Sequence, residues 1–244
     1  MKKIISILMA AAMVLSLSAC GSTQTASETE NPTAGTSPQS EPETAAEPEE
    51  TEPAEEADSE ETADTETAGN GSNILVAYFS LVGEQYRVGV IEEGNTSIIA
   101  HMIAEETGAD LFEIEPVTPY PETHSELPEV SQEEMSENAR PEITGTVENM
   151  DSYDTVFIGY PNWWGDMPMI VYNFIESYDF EGKTVIPFCT HGGSGLSGTE
   201  STIAEITGAS MLDGFAISGE TAQNDREWSE NEVNEWLNEI GFAE

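Results

Sequence analysis

Short apolar runs alternate with segments of helical periodicity through the last 170 or so residues of the chain. The runs are nearly continuous, which is typical of strands buried on both faces. They lie at 73–80, 111–115, 155–159 and 184–189, with a weaker one at 214–218. Residues 96–107, 167–178, 199–207 and 225–240 have the spacing of amphipathic helices. The pattern therefore predicts strands and helices in alternation.

Strands that alternate with helices of this length predict right-handed βαβ crossovers and a parallel sheet covered by helices on both faces. The acidic, proline-rich segment 118–141 interrupts the order, and we expect at most one short helix in it, around 131–139. Ligands of such α/β sheets bind beyond the carboxyl ends of the strands. The loops after residues 80, 159 and 189 are therefore the expected functional site.

The first twenty residues predict an export signal. A basic pair at 2–3 precedes an apolar run at 4–17, which is too short for a membrane span of about twenty residues. The run ends in LSAC, with Cys20 as the last residue, and this resembles the lipobox of bacterial lipoproteins. The resemblance implies that Cys20 is lipidated and begins the mature chain. A disulfide with Cys189, the other cysteine, is the alternative, but no apolar core surrounds Cys20.

Residues 21–70 predict a disordered tether. They hold 15 acidic residues and five prolines, but no Lys, Arg, Leu, Ile, Val, Met or aromatic residue. So little apolar surface cannot offset the entropy of ordering the chain. We therefore expect three parts: a signal peptide at 1–19, the lipidated cysteine and an acidic tether at 20–71, and one folded domain at 72–244.

The expected domain is strongly acidic. It holds 33 of the 48 acidic residues and only four basic ones, a net charge near −29. Such a charge repels nucleic acid and anionic membrane surfaces. We expect no nucleic-acid partner, and membrane contact only through the lipid on Cys20.

The loop after the first predicted strand has features of an anion site. Ser80 ends the strand, and a ten-residue stretch, 84–93, separates it from Asn95, Thr96 and Ser97 at the start of a helix. The N–H groups of a helix N-terminus favour an anion, and the hydroxyls could add donors. An ordinary Asn or Thr helix cap is the alternative, so this loop alone does not decide.

Two further loops predict a site for a planar ring. After the third strand come Pro161, Asn162, Trp163, Trp164 and Gly165, which offer a flat apolar wall with hydrogen-bonding groups beside it. After the fourth strand comes a glycine-rich loop whose backbone N–H groups can approach a ligand closely. Its residues are Thr190, His191, Gly192, Gly193, Ser194 and Gly195. The alternative is that the tryptophans cover the edge of the sheet, with one of them in the core.

In their order, these motifs resemble the flavodoxin-like proteins of anaerobic bacteria over residues 74–244, most specifically in PNWWG and THGGSG. The resemblance implies a doubly wound, five-stranded parallel sheet in the order 2-1-3-4-5, with FMN as cofactor. It implies that Ser80, Asn95, Thr96 and Ser97 hold the phosphate, while 161–165 and 190–195 bracket the isoalloxazine ring. The phosphate loop of flavodoxins is split here by 84–93, and we expect the half that begins the helix to bind.

Electron transfer to a redox protein or a small acceptor is the function that this resemblance implies, with no catalytic acid or base. One alternative is an FMN-dependent quinone-type reductase, in which His191 would donate a proton near the flavin. The other is a cofactor-free surface binding module. We treat His101 and His124 as structural, and because no ligand spacing is present we expect no metal. The expected location is outside the cell or in the periplasm, on the outer face of the cytoplasmic membrane.

Overall fold

A computed structural model describes residues 73–243 of the chain. Within them the strands are β1 (Ile74–Tyr78), β2 (Gly83–Gln85), β3 (Gly89–Ile91), β4 (Asp110–Glu113), β5 (Glu115–Pro116), β6 (Ile143–Thr144), β7 (Thr155–Pro161), β8 (Thr184–His191), β9 (Ser210–Met211) and β10 (Phe215–Ser218). The helices are α1 (Asn95–Thr107), α2 (Leu127–Glu137), α3 (Met169–Ser177), α4 (Thr199–Thr207), α5 (Gly219–Asn224) and α6 (Arg226–Ile240), and a 3-10 turn covers Met150–Ser152.

The central sheet has the order β4-β1-β7-β8-β10, and all its pairs are parallel. In the order of the chain this is 2-1-3-4-5, so the predicted doubly wound α/β fold is confirmed. The fifth position is split. β9 pairs with the start of β8, through Thr184 and Ser210, and β10 pairs with its end, through Phe188 and Phe215.

Successive residues of each central strand face opposite sides of the sheet, so two cores form. Leu75 and Ala77 of β1 pack on the side of α3 and α4. Val76 and Tyr78 pack on the side of α1 and α6. Both faces are buried, which explains why these strands are continuous apolar runs in the sequence.

The helices begin and end where local residues stop them. Gly108, with φ 67°, ends α1, and Gly208, with φ 61°, ends α4. Asp225 caps α6 by accepting a hydrogen bond of 3.2 Å from the backbone N–H of Trp228. Glycine is favoured at these ends because it adopts a left-handed backbone without steric cost.

Several features go beyond the sequence prediction, among them helix α5 and the antiparallel pair β5–β6. The stretch 84–93 contains most of an antiparallel hairpin, β2–β3, whose turn carries Tyr86 and Arg87. The short helix of the acidic segment, α2, begins four residues earlier than predicted.

The predicted signal peptide, Cys20 and the acidic tether lie outside the described residues. Across 73–243, none of the helices has the length and apolar character needed to cross a membrane.

Candidate functional site

A cleft of about 570 Å³ lies beyond the carboxyl ends of the central strands. Six of the residues predicted to contact a ring line it: Asn162, Trp163, Trp164, Gly165, Gly192 and Ser194. The remaining lining residues come from the β2–β3 hairpin, from the segment before α2 and from the first part of α2: Glu84, Gln85, Tyr86, His124, Leu127, Pro128 and Ser131. The cleft therefore has a predicted wall and a wall that sequence reasoning did not identify.

The tryptophan loop closes as a tight turn. Trp163 and Asp166 form an antiparallel bridge through backbone hydrogen bonds of 2.9 and 3.0 Å. Both residues between them have positive φ, 58° at Trp164 and 84° at Gly165. This pattern is that of a type I′ turn, which a bulky residue such as tryptophan rarely adopts. Backbone strain of this kind concentrates at ligand sites.

The two tryptophans have different roles. Trp163 is half-buried, and its ring makes edge-to-face contacts with Phe79 and Tyr120 at centroid distances of 5.6 and 5.5 Å. Trp164 is 57% exposed. Its Nε1 donates a 3.0 Å hydrogen bond to Oγ of Ser131 in α2. Trp163 therefore belongs to the core as well as to the cleft, while Trp164 presents an open, anchored ring.

Asn162 joins the tryptophan loop to the glycine-rich loop. Its Nδ2 donates to the carbonyl of Gly195 at 2.8 Å and to Oγ of Ser197 at 3.0 Å. Its Oδ1 accepts the backbone N–H of Gly165 at 3.1 Å. Through these bonds Asn162 fixes the relative position of the two loops.

The glycine-rich loop leaves β8 through His191. Burial lowers the pKa of His191. Its Nδ1 accepts the backbone N–H of Gly193 at 2.9 Å. A protonated nitrogen could not accept this bond, so the contact favours the neutral ring that the lowered pKa also favours. His191 therefore acts in the structure as a loop-shaping residue.

Cys189 lies beneath the same loop and is fully buried. Its Sγ donates to the carbonyl of Gly195 at 3.3 Å. Burial, with a smaller contribution from Glu200, raises the pKa of the Cys189 thiol to about 12. The thiol is therefore protonated and unreactive at neutral pH.

The predicted anion site lies at the start of α1. Oγ of Ser80 accepts the backbone N–H of Ser97 at 3.0 Å. The cap position is Gly94, which provides no side-chain hydrogen bond to the first turn. Asn95 and Thr96 are the first two residues of α1, and the backbone N–H groups at the start of a helix have no carbonyl acceptor within the helix. This turn, in the half of the loop that begins the helix, therefore presents backbone N–H groups that have no carbonyl partner within the helix.

Asn95 and Thr96 differ in what their side chains contact. Among the described residues, Oδ1 of Asn95 is the buried side-chain N or O atom that lacks a hydrogen-bond partner. Oγ1 of Thr96 shares a buried 2.8 Å hydrogen bond with Oγ1 of Thr190, at the end of β8. One hydroxyl of this pair donates to the other, so one hydroxyl proton remains to donate elsewhere. The pair connects the start of α1 to the glycine-rich loop.

Asp166 turns away from the cleft toward α3. Its carboxylate accepts hydrogen bonds from the hydroxyl of Tyr172 at 3.0 and 3.1 Å, and from the backbone N–H of Met167 at 2.8 Å. Burial and the nearby Asp166 charge raise the pKa of Tyr172 to about 12.

Within residues 73–243, no group of three or more His, Cys, Asp or Glu residues could hold a metal ion.

Comparisons with known proteins agree with the fold. The family model described as flavodoxin matches residues 73–240. A protein from Bacteroides eggerthii DSM 20697, named as a candidate flavoprotein, is 32% identical with a TM-score of 0.55, over 68% of this chain and 96% of its own. A similarly named protein from Bacteroides uniformis ATCC 8492 is 32% identical with a TM-score of 0.52, over 66% of this chain and 96% of its own.

A flavoprotein from Lactobacillus acidophilus NCFM, solved in complex with FMN, is 21% identical with a TM-score of 0.47, over 64% of this chain and 97% of its own. No curated protein matches the chain.

Proposed function

The chain belongs to the flavodoxin family, and from this premise we propose that its cleft binds FMN and that the protein transfers electrons. The observation that carries the proposal is the cleft itself. An anchored, exposed aromatic ring at Trp164 and a glycine-rich loop line one cavity. Planar conjugated ligands bind in largely apolar clefts that have a few fixed polar groups.

The start of α1 suits the phosphate end of FMN. The backbone N–H groups of Asn95 and Thr96 are not capped by a side chain and can donate hydrogen bonds to a phosphate. A helix N-terminus also favours negative charge. The unpartnered Oδ1 of Asn95 can accept a hydrogen bond from a hydroxyl of the ribityl chain. If the side-chain amide is rotated by 180°, its Nδ2 takes the same position and donates to the phosphate instead. Ser80 holds the turn through Ser97. The residues present therefore fit the group.

The loops after β7 and β8 suit the ring end. Trp164 provides stacking surface, while Asn162 holds the tryptophan loop against the glycine-rich loop. Thr190 links this end to the α1 turn through its bond to Thr96. Fixed walls of this kind reduce the entropy cost of ordering a site when a ligand binds.

When bound, FMN supplies a ring that accepts and returns electrons singly or in pairs. The chain holds and shields that ring. His191 is a poor proton donor because its pKa is lowered and its Nδ1 accepts a hydrogen bond. Asp166 is occupied by Tyr172. We therefore favour an electron carrier over an FMN-dependent quinone-type reductase.

The proposed carrier works outside the cell membrane or in the periplasm, attached to the membrane through lipid on Cys20. The lipobox-like sequence at its N-terminus supports this location. The acidic composition supports a redox partner with a basic docking surface, or a small uncharged acceptor, since like charges repel.

The test is an absorption spectrum of the purified protein, followed by titration of the flavin-free form with FMN and with riboflavin. We expect visible flavin bands, and tighter binding of FMN than of riboflavin because only FMN has the phosphate. Absence of binding to either flavin would contradict the proposal and leave the cofactor-free surface module as the best reading. Equal affinity for the two would contradict the phosphate assignment at α1.

A further inference from the structure

The β2–β3 hairpin places an aromatic residue against the glycine-rich loop. The hairpin lies between β1 and α1, and its turn carries Tyr86 and Arg87. Both turn residues contact Gly192. A Cβ built on Gly192 would lie 2.8 and 3.0 Å from Cδ1 and Cε1 of Tyr86. Nη1 of Arg87 donates a 3.0 Å hydrogen bond to the carbonyl of Gly192.

The absence of a side chain at Gly192 therefore has a specific use. Its φ lies outside the left-handed range, so backbone conformation does not demand glycine there. Space is the relevant factor, because a Cβ at this position would meet the Tyr86 ring and would have to displace that side chain. The sequence motif predicts that this glycine admits a ligand ring. The structure shows a protein ring in contact with it instead.

Tyr86 is held by its neighbours but remains largely exposed. Its ring lies 5.5 Å, centroid to centroid, from the ring of His124, tilted by 32°. Glu84 fixes the hairpin from the other side: its N–H donates to the Glu122 carbonyl at 2.7 Å, and its carboxylate accepts the N–H of His124 at 3.0 Å. Tyr86 nevertheless stays 61% exposed, and it lines the same cleft as Trp164.

We propose that Tyr86 forms a second aromatic wall of the ring site, and that Gly192 is glycine in order to admit Tyr86. The inference rests on the proposed binding of FMN. An aromatic ring that is held by its neighbours, largely exposed and part of a cleft lining offers stacking surface to a planar ligand. The hairpin that splits the phosphate loop in the sequence thus supplies a ring contact, which makes Tyr86 a specificity-determining residue for the isoalloxazine.

A double-mutant cycle tests the proposal on the full chain, purified in detergent and freed of flavin. The variants are Tyr86→Ala, Gly192→Ala and the two combined, titrated with FMN while flavin fluorescence and visible absorption are followed. Tyr86→Ala should weaken binding about tenfold and leave the bound flavin more fluorescent. Gly192→Ala should do the same by displacing Tyr86. In the Tyr86→Ala background, Gly192→Ala should change affinity by less than about twofold.

Two controls isolate the ring. Tyr86→Phe keeps the aromatic face and should bind FMN as wild type does. Val90→Ala alters the same hairpin at a residue that is 82% exposed and not part of the cleft lining, and should also leave binding unchanged. Near-ultraviolet circular dichroism and melting temperature show whether each variant is folded.

The outcomes separate this inference from the proposed function. Wild-type affinity in folded Tyr86→Ala overturns the inference and leaves FMN binding standing. A loss caused by Gly192→Ala that persists without Tyr86 also overturns it, because Gly192 would then admit the ligand itself. Failure of the wild-type protein to bind any flavin overturns the proposed function, and the inference with it.

Discussion

Thr96 and Thr190 share a hydrogen bond of 2.8 Å between their hydroxyl oxygens, although 94 residues separate them in the chain. They are 1% and 3% exposed. One lies in the first turn of α1 and the other next to the last residue of β8, so the bond joins the proposed phosphate site to the glycine-rich loop at a buried point. A buried hydroxyl that loses its hydrogen-bond partner destabilises the fold. Removing one hydroxyl of this pair should therefore cost more than removing both would suggest.

We expect Thr96→Val and Thr190→Val each to lower the free energy of unfolding by about 1–3 kcal/mol, because each leaves a buried hydroxyl without its partner. The double variant should lose less than the sum of the two, since neither hydroxyl is then orphaned. Urea denaturation of the four proteins measures the coupling. Strict additivity would show that the hydroxyl pair does not act as a unit.

The two tryptophans of the cleft should separate stability from binding. Trp163→Ala removes edge-to-face contacts with Phe79 and Tyr120 and should cost about 2 kcal/mol or more of unfolding free energy. Trp164→Ala changes an exposed ring and should cost under about 1 kcal/mol. Trp164→Ala should nonetheless weaken FMN binding more than tenfold, because the lost stacking surface should cost more than the about 1.4 kcal/mol of binding free energy that corresponds to a tenfold change in Kd.

Chemical denaturation and FMN titration of both variants provide the check. Ser131→Ala is a matched control, because it removes the acceptor of the Trp164 Nε1 bond and leaves the ring. It should have a smaller effect on FMN affinity than Trp164→Ala. Normal FMN affinity in a folded Trp164→Ala protein would contradict the assignment of this ring.

The sequence predicted the central sheet because its strands are buried on both faces and therefore read as unbroken apolar runs. It did not predict the β2–β3 hairpin, whose strands are three residues long and largely polar or exposed. It also could not separate the roles of Trp163 and Trp164. That difference arises from positive φ at Trp164 and from tertiary neighbours such as Phe79, neither of which a local pattern specifies.

The lining of the cleft likewise contains residues that the sequence could predict and residues that it could not. Residues of the loops after β7 and β8 were predictable, since the carboxyl ends of parallel strands meet at one edge. Tyr86 and His124 come from segments that the alternation of strands and helices does not place. One sequence signal could have identified Tyr86. The stretch 84–93, which splits the phosphate loop, contains an aromatic residue followed by Arg87 and a glycine. An unstructured insertion would hold few apolar residues, so this composition indicates local structure.

We expect Cys189 to resist alkylation in the folded protein. Burial raises the pKa of its thiol to about 12, so about one molecule in ten thousand carries the thiolate at pH 8. Iodoacetamide treatment, followed by mass spectrometry of the peptide that contains Cys189, should show modification only in denaturant. Rapid labelling without denaturant would contradict the burial of this thiol.

The same pKa shift has a consequence for stability. A thiol whose pKa is raised on folding stabilises the folded state fully below the ordinary pKa of about 9, and that contribution is lost as pH rises toward 12. Unfolding free energy should therefore fall above about pH 9, and more steeply in the wild type than in Cys189→Ala. Equal slopes for the two proteins would show that the thiol ionises alike in both states.

We expect attachment to the membrane to depend on Cys20 alone. Replacing residues 1–20 with a cleavable export signal that lacks this cysteine should release a soluble, folded protein, because a lipid chain stabilises attachment and not the fold. Fractionation with detergent and with high salt distinguishes lipid anchoring from electrostatic binding. Deleting 21–70 while keeping Cys20 is the control, and it should leave both membrane attachment and melting temperature nearly unchanged.

Gly94 should be needed for space at the proposed phosphate end. Its φ is −68°, which any residue adopts, so conformation does not explain a glycine here. A Cβ built on Gly94 would overlap Oγ of Ser80 and lie 2.8 Å from the carbonyl oxygen of Leu81. Gly94→Ala therefore has to displace the loop that follows β1 and break the bond from Ser97 N–H to Ser80.

The displaced turn should lose contacts to phosphate and keep those to the ring. We expect Gly94→Ala to weaken FMN binding about tenfold or more, the value of one hydrogen bond to a charged group, while riboflavin affinity changes little. Adding Ser80→Ala removes the overlapping oxygen and should restore part of the stability but not the preference for FMN, because the bond to Ser97 is still absent. Parallel titrations with the two flavins measure this preference directly. If Gly94→Ala weakens both flavins equally, the phosphate lies elsewhere and the anion site at α1 is wrong.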